Sequence, residues 1–288
     1  MSTRQPIVAG QFYPARAREC RDQLAACLGS APADAPLPDR LVGGIVPHAG
    51  WMCSGAVAGR VFAGLAERHA PQCVVLFGAV HRWPGDRPMI NRSQDWATPL
   101  GNVAVNAEFA DALAHCCSAV EDTPAAFATE HSLEVQIPFI QQVFPHASIV
   151  PVMVPPNEHA IAVGRAAGRL IAERDAGDLV IGTTDLTHYG PSYGFTPRGT
   201  GSDALRWARE INDRRLIDLV LDLAAEKIIP EAREYRNACG GGAVAATIAA
   251  ARELGAERGY LLEHTTSREV LGRPSLDAVG YAGVVFGG

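Results

Sequence analysis

Leu41-Val-Gly-Gly-Ile-Val46 runs straight into Pro47-His48-Ala49-Gly50-Trp51. Six apolar or small residues without alternation describe a strand covered on both faces, as in a parallel sheet, and Pro47 ends it. Outward from this stretch the same kind of unit recurs. Ser54–Arg68 reads as a helix, Cys73–Gly78 as a buried strand, Glu130–Phe144 as a helix, Ser148–Val154 as a strand and Glu158–Arg174 as a helix. Leu179–Thr183 (strand), Ser202–Ala225 and Gly240–Leu254 (helices), and Gly259–Thr266 and Val279–Phe286 (strands) continue the series. Such alternation predicts a three-layer α/β fold: a mostly parallel or mixed central sheet with helices on both faces. The last two strands are expected to be antiparallel, because Arg268–Asp277 is too short for a helical crossover. An opening helix, Ala15–Leu28, is joined to the core by Gly29–Arg40, a Pro-rich surface linker within a single domain spanning residues 1–288. Pro99-Leu-Gly-Asn102 predicts a turn, with Val103 and Val105 in a side hairpin.

Composition excludes several classes. Of the 288 residues, 48% are hydrophobic and 19% charged, which rules out a disordered chain. The richest apolar runs, Ser148–Pro155 and Val279–Phe286, are far shorter than the roughly 20 residues of a membrane-spanning helix. The net charge is −6, and the 25 basic residues include one lysine, with the arginines interspersed among acids; no nucleic-acid surface is expected. Seven cysteines without disulfide-like spacing, and a polar start without an apolar signal core, predict a cytoplasmic protein.

In open α/β sheets the reactive groups gather beyond the carboxyl ends of the strands. Four residues stand there: His48, His81 in Gly78-Ala-Val-His81, His188 in Thr184-Asp-Leu-Thr-His-Tyr189, and Cys239 ahead of Gly240-Gly-Gly242. Imidazole and thiolate are ligands of zinc, copper and iron, and three of them leave a coordination position open. Cys239 at a helix N-terminus is expected to have a lowered pKa. The three glycines, each weakening a helix by about 1 kcal/mol relative to alanine, mark either a close approach to the backbone or tight helix-to-sheet packing. Asp185, three residues before His188, reads as its partner in acid–base chemistry or as the cap of a turn. Glu130-His-Ser-Leu-Glu134 opens the next helix: Glu130 with Glu134, or His131 with Glu134, read as ligands on adjacent turns or as first-turn acids that complement the helix dipole, with His131 and Glu134 otherwise outer or substrate-facing; Trp51 and Tyr189 flank the site.

Six motifs in order, Val8-Ala-Gly-Gln-Phe-Tyr-Pro14, Pro47-His-Ala-Gly-Trp51, Gly78-Ala-Val-His81, Glu130-His-Ser-Leu-Glu-Val-Gln136, Asp185-Leu-Thr-His-Tyr-Gly190 and Ala238-Cys-Gly-Gly-Gly242, resemble the Memo family, essentially over the whole chain. Its bacterial and archaeal members are called AmmeMemoRadiSam system protein B. The resemblance implies the fold of LigB-type class III extradiol dioxygenases, which are nonhaem Fe(II) enzymes. It places a metal on His48, His81 and Cys239, and an acid/base histidine at His188. It also implies a peptide-binding adaptor role or companionship with radical SAM and AMMECR-type proteins. A thiolate in place of the dioxygenase carboxylate shifts metal preference toward copper(I), zinc or thiolate-tolerant iron.

The leading expectation is therefore a metal-dependent oxidoreductase, with Fe(II) foremost and Cu(I) or Zn as alternatives, and with Asp185 and His188 moving protons. One alternative is a metal-free hydrolase or transferase in which Cys239 is the nucleophile, His48 or His188 its base, and the Gly241 and Gly242 amides an oxyanion hole. Another is a non-catalytic module that binds a peptide or partner through Trp51, Trp83, Tyr189 and Tyr193. The ligand is an unidentified small molecule or peptide.

Overall fold

The computed structural model describes residues 3–29, 37–82, 85–117 and 120–288. Most of the Gly29–Arg40 linker, and Trp83, lie outside them. The core strands are β1 (Leu41–Val46), β2 (Cys73–Gly78), β3 (Ser148–Met153), β4 (Leu179–Thr183), β5 (Arg258–Thr266) and β6 (Ala278–Gly287). They lie in the order β5-β6-β1-β4-β2-β3. The four from β1 to β3 run parallel, while β6 is antiparallel to both β1 and β5. Met89–Ile90 extends the far edge beyond β3, and His188–Tyr189 pairs with the start of β6. A separate small sheet joins Thr3–Arg4 to the hairpin Asp95–Thr98 and Gly101–Ala104, around the expected turn.

The period-two alternation of each buried strand divides its side chains between two layers. Val74 and Leu76 of β2 face Phe62 and Phe139, in the layer of α1 (Ala17–Leu28), α2 (Trp51–Ala66) and α4 (Ile137–Val143). Val75 and Phe77 face the opposite layer, which includes α3 (Ala107–Cys116), α5 (His159–Arg174) and the alanine-rich α9 (Gly241–Glu253). This is the three-layer arrangement that the sequence predicts.

Two helices differ from expectation. Glu130–Phe144 is not one helix: Glu130 is extended, Glu134–Gln136 is a 3₁₀ turn, and only α4 is α-helical. The Glu130 carboxylate accepts from the amides of His131 and Ser132, holding a turn there, and Pro138, which lacks an N–H, fits in the first turn of α4 rather than mid-helix. Ser202–Ala225 breaks into α6 (Ser202–Trp207), a π-helical segment Ala208–Asp213 and α7 (Arg214–Leu221). An unexpected α8, Ala225–Tyr235, follows. Its Pro230 and many charges had concealed the helical pattern.

The contact of α5 with α9 is close enough to exclude a methyl group. A Cβ on Gly164 would lie 2.1 Å from the Ala246 carbonyl oxygen. Gly164→Ala gains about 1 kcal/mol in helix propensity but must push two backbones apart, and overpacking costs about 1–3 kcal/mol. Because the clash is with backbone at 2.1 Å, the cost falls in the upper part of that range, and a net loss of about 1–2 kcal/mol is expected, visible as a lower urea midpoint. A variant as stable as the parent would show that the helices can separate freely.

Candidate metal centre

The ends of β1, β2 and β4, and the start of α9, bring the site together. His48 follows β1 and is buried; its N–H donates to Asp185 Oδ1 at 2.8 Å. Val46 and Thr183 are register partners in neighbouring parallel strands, which sets the Thr183 hydroxyl beside the imidazole, 2.7 Å from Nδ1. The other ring nitrogen, Nε2, is 3.1 Å from Cys239 Sγ. Cys239 Sγ also accepts the Asp185 N–H at 3.3 Å.

His81, beyond β2, is fixed by Glu130: the carboxylate accepts its N–H at 3.0 Å and lies 2.9 Å from Nδ1. His131 stacks on His81 with ring centroids 4.7 Å apart, and His48 stands nearly perpendicular to both, at 5.1 and 5.6 Å. The potential ligand atoms form two groups sharing His48: His48, His81 and His131, and His48, Asp185 and Cys239. Within each group they lie no more than 4.8 Å from one another.

Burial, with the nearby imidazoles, holds His48 well below the usual histidine range, so it is neutral. Burial also pulls His81 down, but its hydrogen bond and attraction to Glu130 outweigh this and raise it. Burial would raise Glu130; hydrogen bonds from His81 and Ser132 and the His81 charge instead bring it to about 2. Because the anion accepts, the neutral His81 ring carries its proton on Nδ1 and leaves the lone pair on Nε2. Burial lowers His131, with the His81 charge adding to it.

The expected lowering of the Cys239 pKa is overturned. Burial and the Asp185 carboxylate push the thiol up, outweighing the hydrogen bonds from the Asp185 N–H and the Thr184 hydroxyl. The glycine run serves packing: a Cβ on Gly242 would lie 2.3 Å from the Val154 carbonyl oxygen at the end of β3. Asp185 and His188 do not form the expected hydrogen-bonded pair. Asp185 is occupied by the His48 amide, and His188 Nδ1 lies 3.1 Å from the Leu186 carbonyl. A carbonyl only accepts, so His188 carries its proton on Nδ1 and exposes Nε2 as a base. Nor does Asp185 cap a helix, since His188–Tyr189 is extended. The π-helical segment supports this loop. Its wider turn lets consecutive residues converge: Asn212 donates to the Thr187 hydroxyl and Asp213 accepts the Thr187 N–H.

Three residues expected around the site have other duties. Tyr189 is fully buried in a small cluster with Leu205 and Ala208, its hydroxyl donating to Gly199 O. Trp51 is buried against Tyr13 and Phe139 and donates to Val135 O. Neither offers an aromatic face to a partner. Glu134 binds the N-terminal segment, accepting from Arg4, the amides of Ile7 and Val8, and the Tyr13 hydroxyl. Of the two residues that fix the imidazoles, Glu130 was visible in sequence as an acid of the Glu130–Glu134 motif, without its partner, and Thr183 only as a polar residue ending an apolar run.

The donor set fits a transition metal. His48 and His81 have Nδ1 engaged by Thr183 and Glu130, the orientation in which metal-binding histidines are held. Cys239 adds a soft sulfur. The molecule is thus a three-layer α/β scaffold with an imidazole–thiol centre over the carboxyl ends of its parallel strands.

Residues 4–285 match the family model described as Memo-like protein. The chain is 36% identical to a MEMO1 family protein of Methanopyrus kandleri over 98% of each chain. It is 34% identical to one of Thermococcus onnurineus, over 98% of this chain and 99% of that one. A solved structure of an uncharacterized Escherichia coli K12 protein superposes with a TM-score of 0.53 at 12% identity, covering 86% of this chain and 100% of that one, a likeness of fold. The chain belongs to the Memo-like protein family. Among the described residues no helix is long and apolar enough to cross a membrane.

Proposed function

We propose that the protein is a metal-dependent enzyme of redox type, its ion held by His48, His81 and Cys239. The observation that carries this reading is the Nε2 of a buried, neutral His48 standing 3.1 Å from Cys239 Sγ while its ring meets that of His81. Iron(II) is the foremost candidate, followed by copper(I) and zinc. When bound, such an ion supplies Lewis-acid or one-electron chemistry.

The chain's own residues do the rest. Thr183 and Glu130 engage Nδ1 of His48 and His81, which leaves Nε2 of each for an ion. His48 is the residue shared by the group with His81 and His131 and the group with Cys239, so it would bridge the imidazole and thiol sides of the site. His188 Nε2, free to accept, takes a proton from a substrate group, while Asp185 holds the His48 backbone in place. The raised Cys239 thiol argues against a metal-free nucleophile, because the thiolate is the reactive species.

The test is metal titration of protein purified without oxygen or chelators, using iron(II), copper(I) and zinc in turn. Cys239→Ser should weaken binding well beyond tenfold, because it removes a bond and a charge. Cys116→Ser, which changes an exposed thiol on α3, should have no effect, and His188→Ala should keep full stoichiometry. Equal losses in the two cysteine variants, or no stoichiometric binding by the parent, would refute the centre.

A further inference from the structure

A cavity of about 570 Å³ opens onto the edge of the imidazole cluster, with His81 and His131 in its wall. Its volume lies within the range of roughly 300–1,000 Å³ typical of small-molecule sites. One side is apolar, made by Ile7, Val8 and Phe12, with the Phe12 ring edge-on to His131 at 4.9 Å. The lining also includes the exposed Arg82, its one permanently charged group, and no carboxylate among the described residues lines the cavity.

The apolar wall is built rather than loosely draped. Glu134 accepts the Ile7 and Val8 amides, and the Trp51 N–H donates to Phe12 O at 2.8 Å. Between these fastenings the chain turns on itself, with the amides of Gln11 and Phe12 donating to Val8 O. Residues 7–12 are therefore presented at a fixed height over the cluster, which is what a wall that selects ligands requires.

We propose that this cavity binds an amphiphilic organic anion, its apolar body against Ile7 and Phe12 and its negative group on Arg82, and that this is the substrate class of the metal centre. Only the last clause rests on the metal-enzyme reading. A buried Glu130, already engaged by His81, does not compete for Arg82. Arginine forms paired hydrogen bonds with a carboxylate, whereas a neutral amide of the same shape receives no charge assistance.

The experiment uses metal-free, isotope-labelled protein, so it stands or falls independently of metal loading. Benzoate and its neutral isostere benzamide are titrated while the amides of Gln11, Phe12, Arg82 and Thr129 are followed by NMR. Benzoate should bind about tenfold more tightly than benzamide. Arg82→Gln should reduce benzoate to the affinity of benzamide, Arg82→Lys should recover part of the difference, and Phe12→Ala should weaken both probes alike. Metal stoichiometry of Arg82→Gln, measured separately, should match the parent. Equal affinities for the two probes, shifts that avoid these amides, no binding of either probe, or an Arg82→Gln variant that still prefers benzoate would each overturn the assignment. A protein that prefers benzoate but takes up no metal would leave the anion cavity standing and remove the metal-enzyme reading.

Discussion

Glu134→Ala is expected to destabilise the fold by about 3–5 kcal/mol, the cost typical of removing one partner from a buried ion pair. The carboxylate is almost fully buried and accepts from the Arg4 guanidinium, two backbone amides and the Tyr13 hydroxyl. Without it Arg4, itself buried, keeps hydrogen bonds to the Phe127 and Glu130 carbonyls and its contact with the Trp96 ring, but no anion. Thermal melts should fall by roughly 10 °C. An Arg4→Met, Glu134→Met double variant should recover only the ion-pair part of the loss, since a buried pair replaced by apolar groups often breaks even while the Ile7 and Val8 amides and the Tyr13 hydroxyl still lack their acceptor. A loss below about 1 kcal/mol in Glu134→Ala would mean that the N-terminal segment is held by its apolar contacts instead.

Metal-free protein is expected to lose about 3 kcal/mol of stability between pH 4.5 and about 2 through Glu130 alone. The sign follows from the direction of the shift. A carboxyl whose folded pKa is lowered contributes fully above its usual value of 4.5, and that contribution disappears as the pH falls toward about 2. His81 is the other end of the same pair. Its raised pKa contributes below the usual 6.5 and is lost as the pH climbs through the raised value. Urea denaturation across this range should show an acid-side decline that Glu130→Gln largely flattens. Parallel declines in parent and variant would place the acid sensitivity elsewhere. Because a metal requires neutral His81, acidification should also weaken loading.

The strands were the most legible part of the chain. β1, β2 and β4 begin and end with the runs read from the sequence, because a strand buried on both faces is made almost wholly of apolar or small residues. His48 and Cys239 were legible too, since strand ends and helix starts can be located from local pattern. Partnerships were not. That His81 would be fixed by Glu130 and stacked on His131 depends on a segment some fifty positions away arriving as a turn rather than a helix. The spacing of Asp185 and His188 suggested a hydrogen-bonded pair, but the Asp185 carboxylate accepts the His48 amide and His188 Nδ1 faces the Leu186 carbonyl, partners that local spacing does not reveal. The Cys239 pKa depended on how deeply the thiol is buried and on the Asp185 carboxylate, neither of which is written in its neighbours.

The order β6-β1-β4-β2-β3 has a consequence for how the chain comes to its native state. Every parallel pairing joins distant segments, Gly43 with Val180 and Val74 with Leu179 among them, and β6 meets β1 through Val284 and Ile45. Closing such long loops adds little to the equilibrium cost, about 0.6 kcal/mol for each doubling of length, but it delays the first productive encounter. Among the six core strands only β5 and β6 are close in sequence, so of these pairings theirs alone can form early by local search. Until β1 docks beside it, β6 presents an open hydrogen-bonding edge of almost wholly apolar residues, Ala278 to Gly287, which other chains can occupy first. The arrangement that gathers the imidazoles and the thiol is thus expected to slow assembly and to make the refolded yield fall as protein concentration rises.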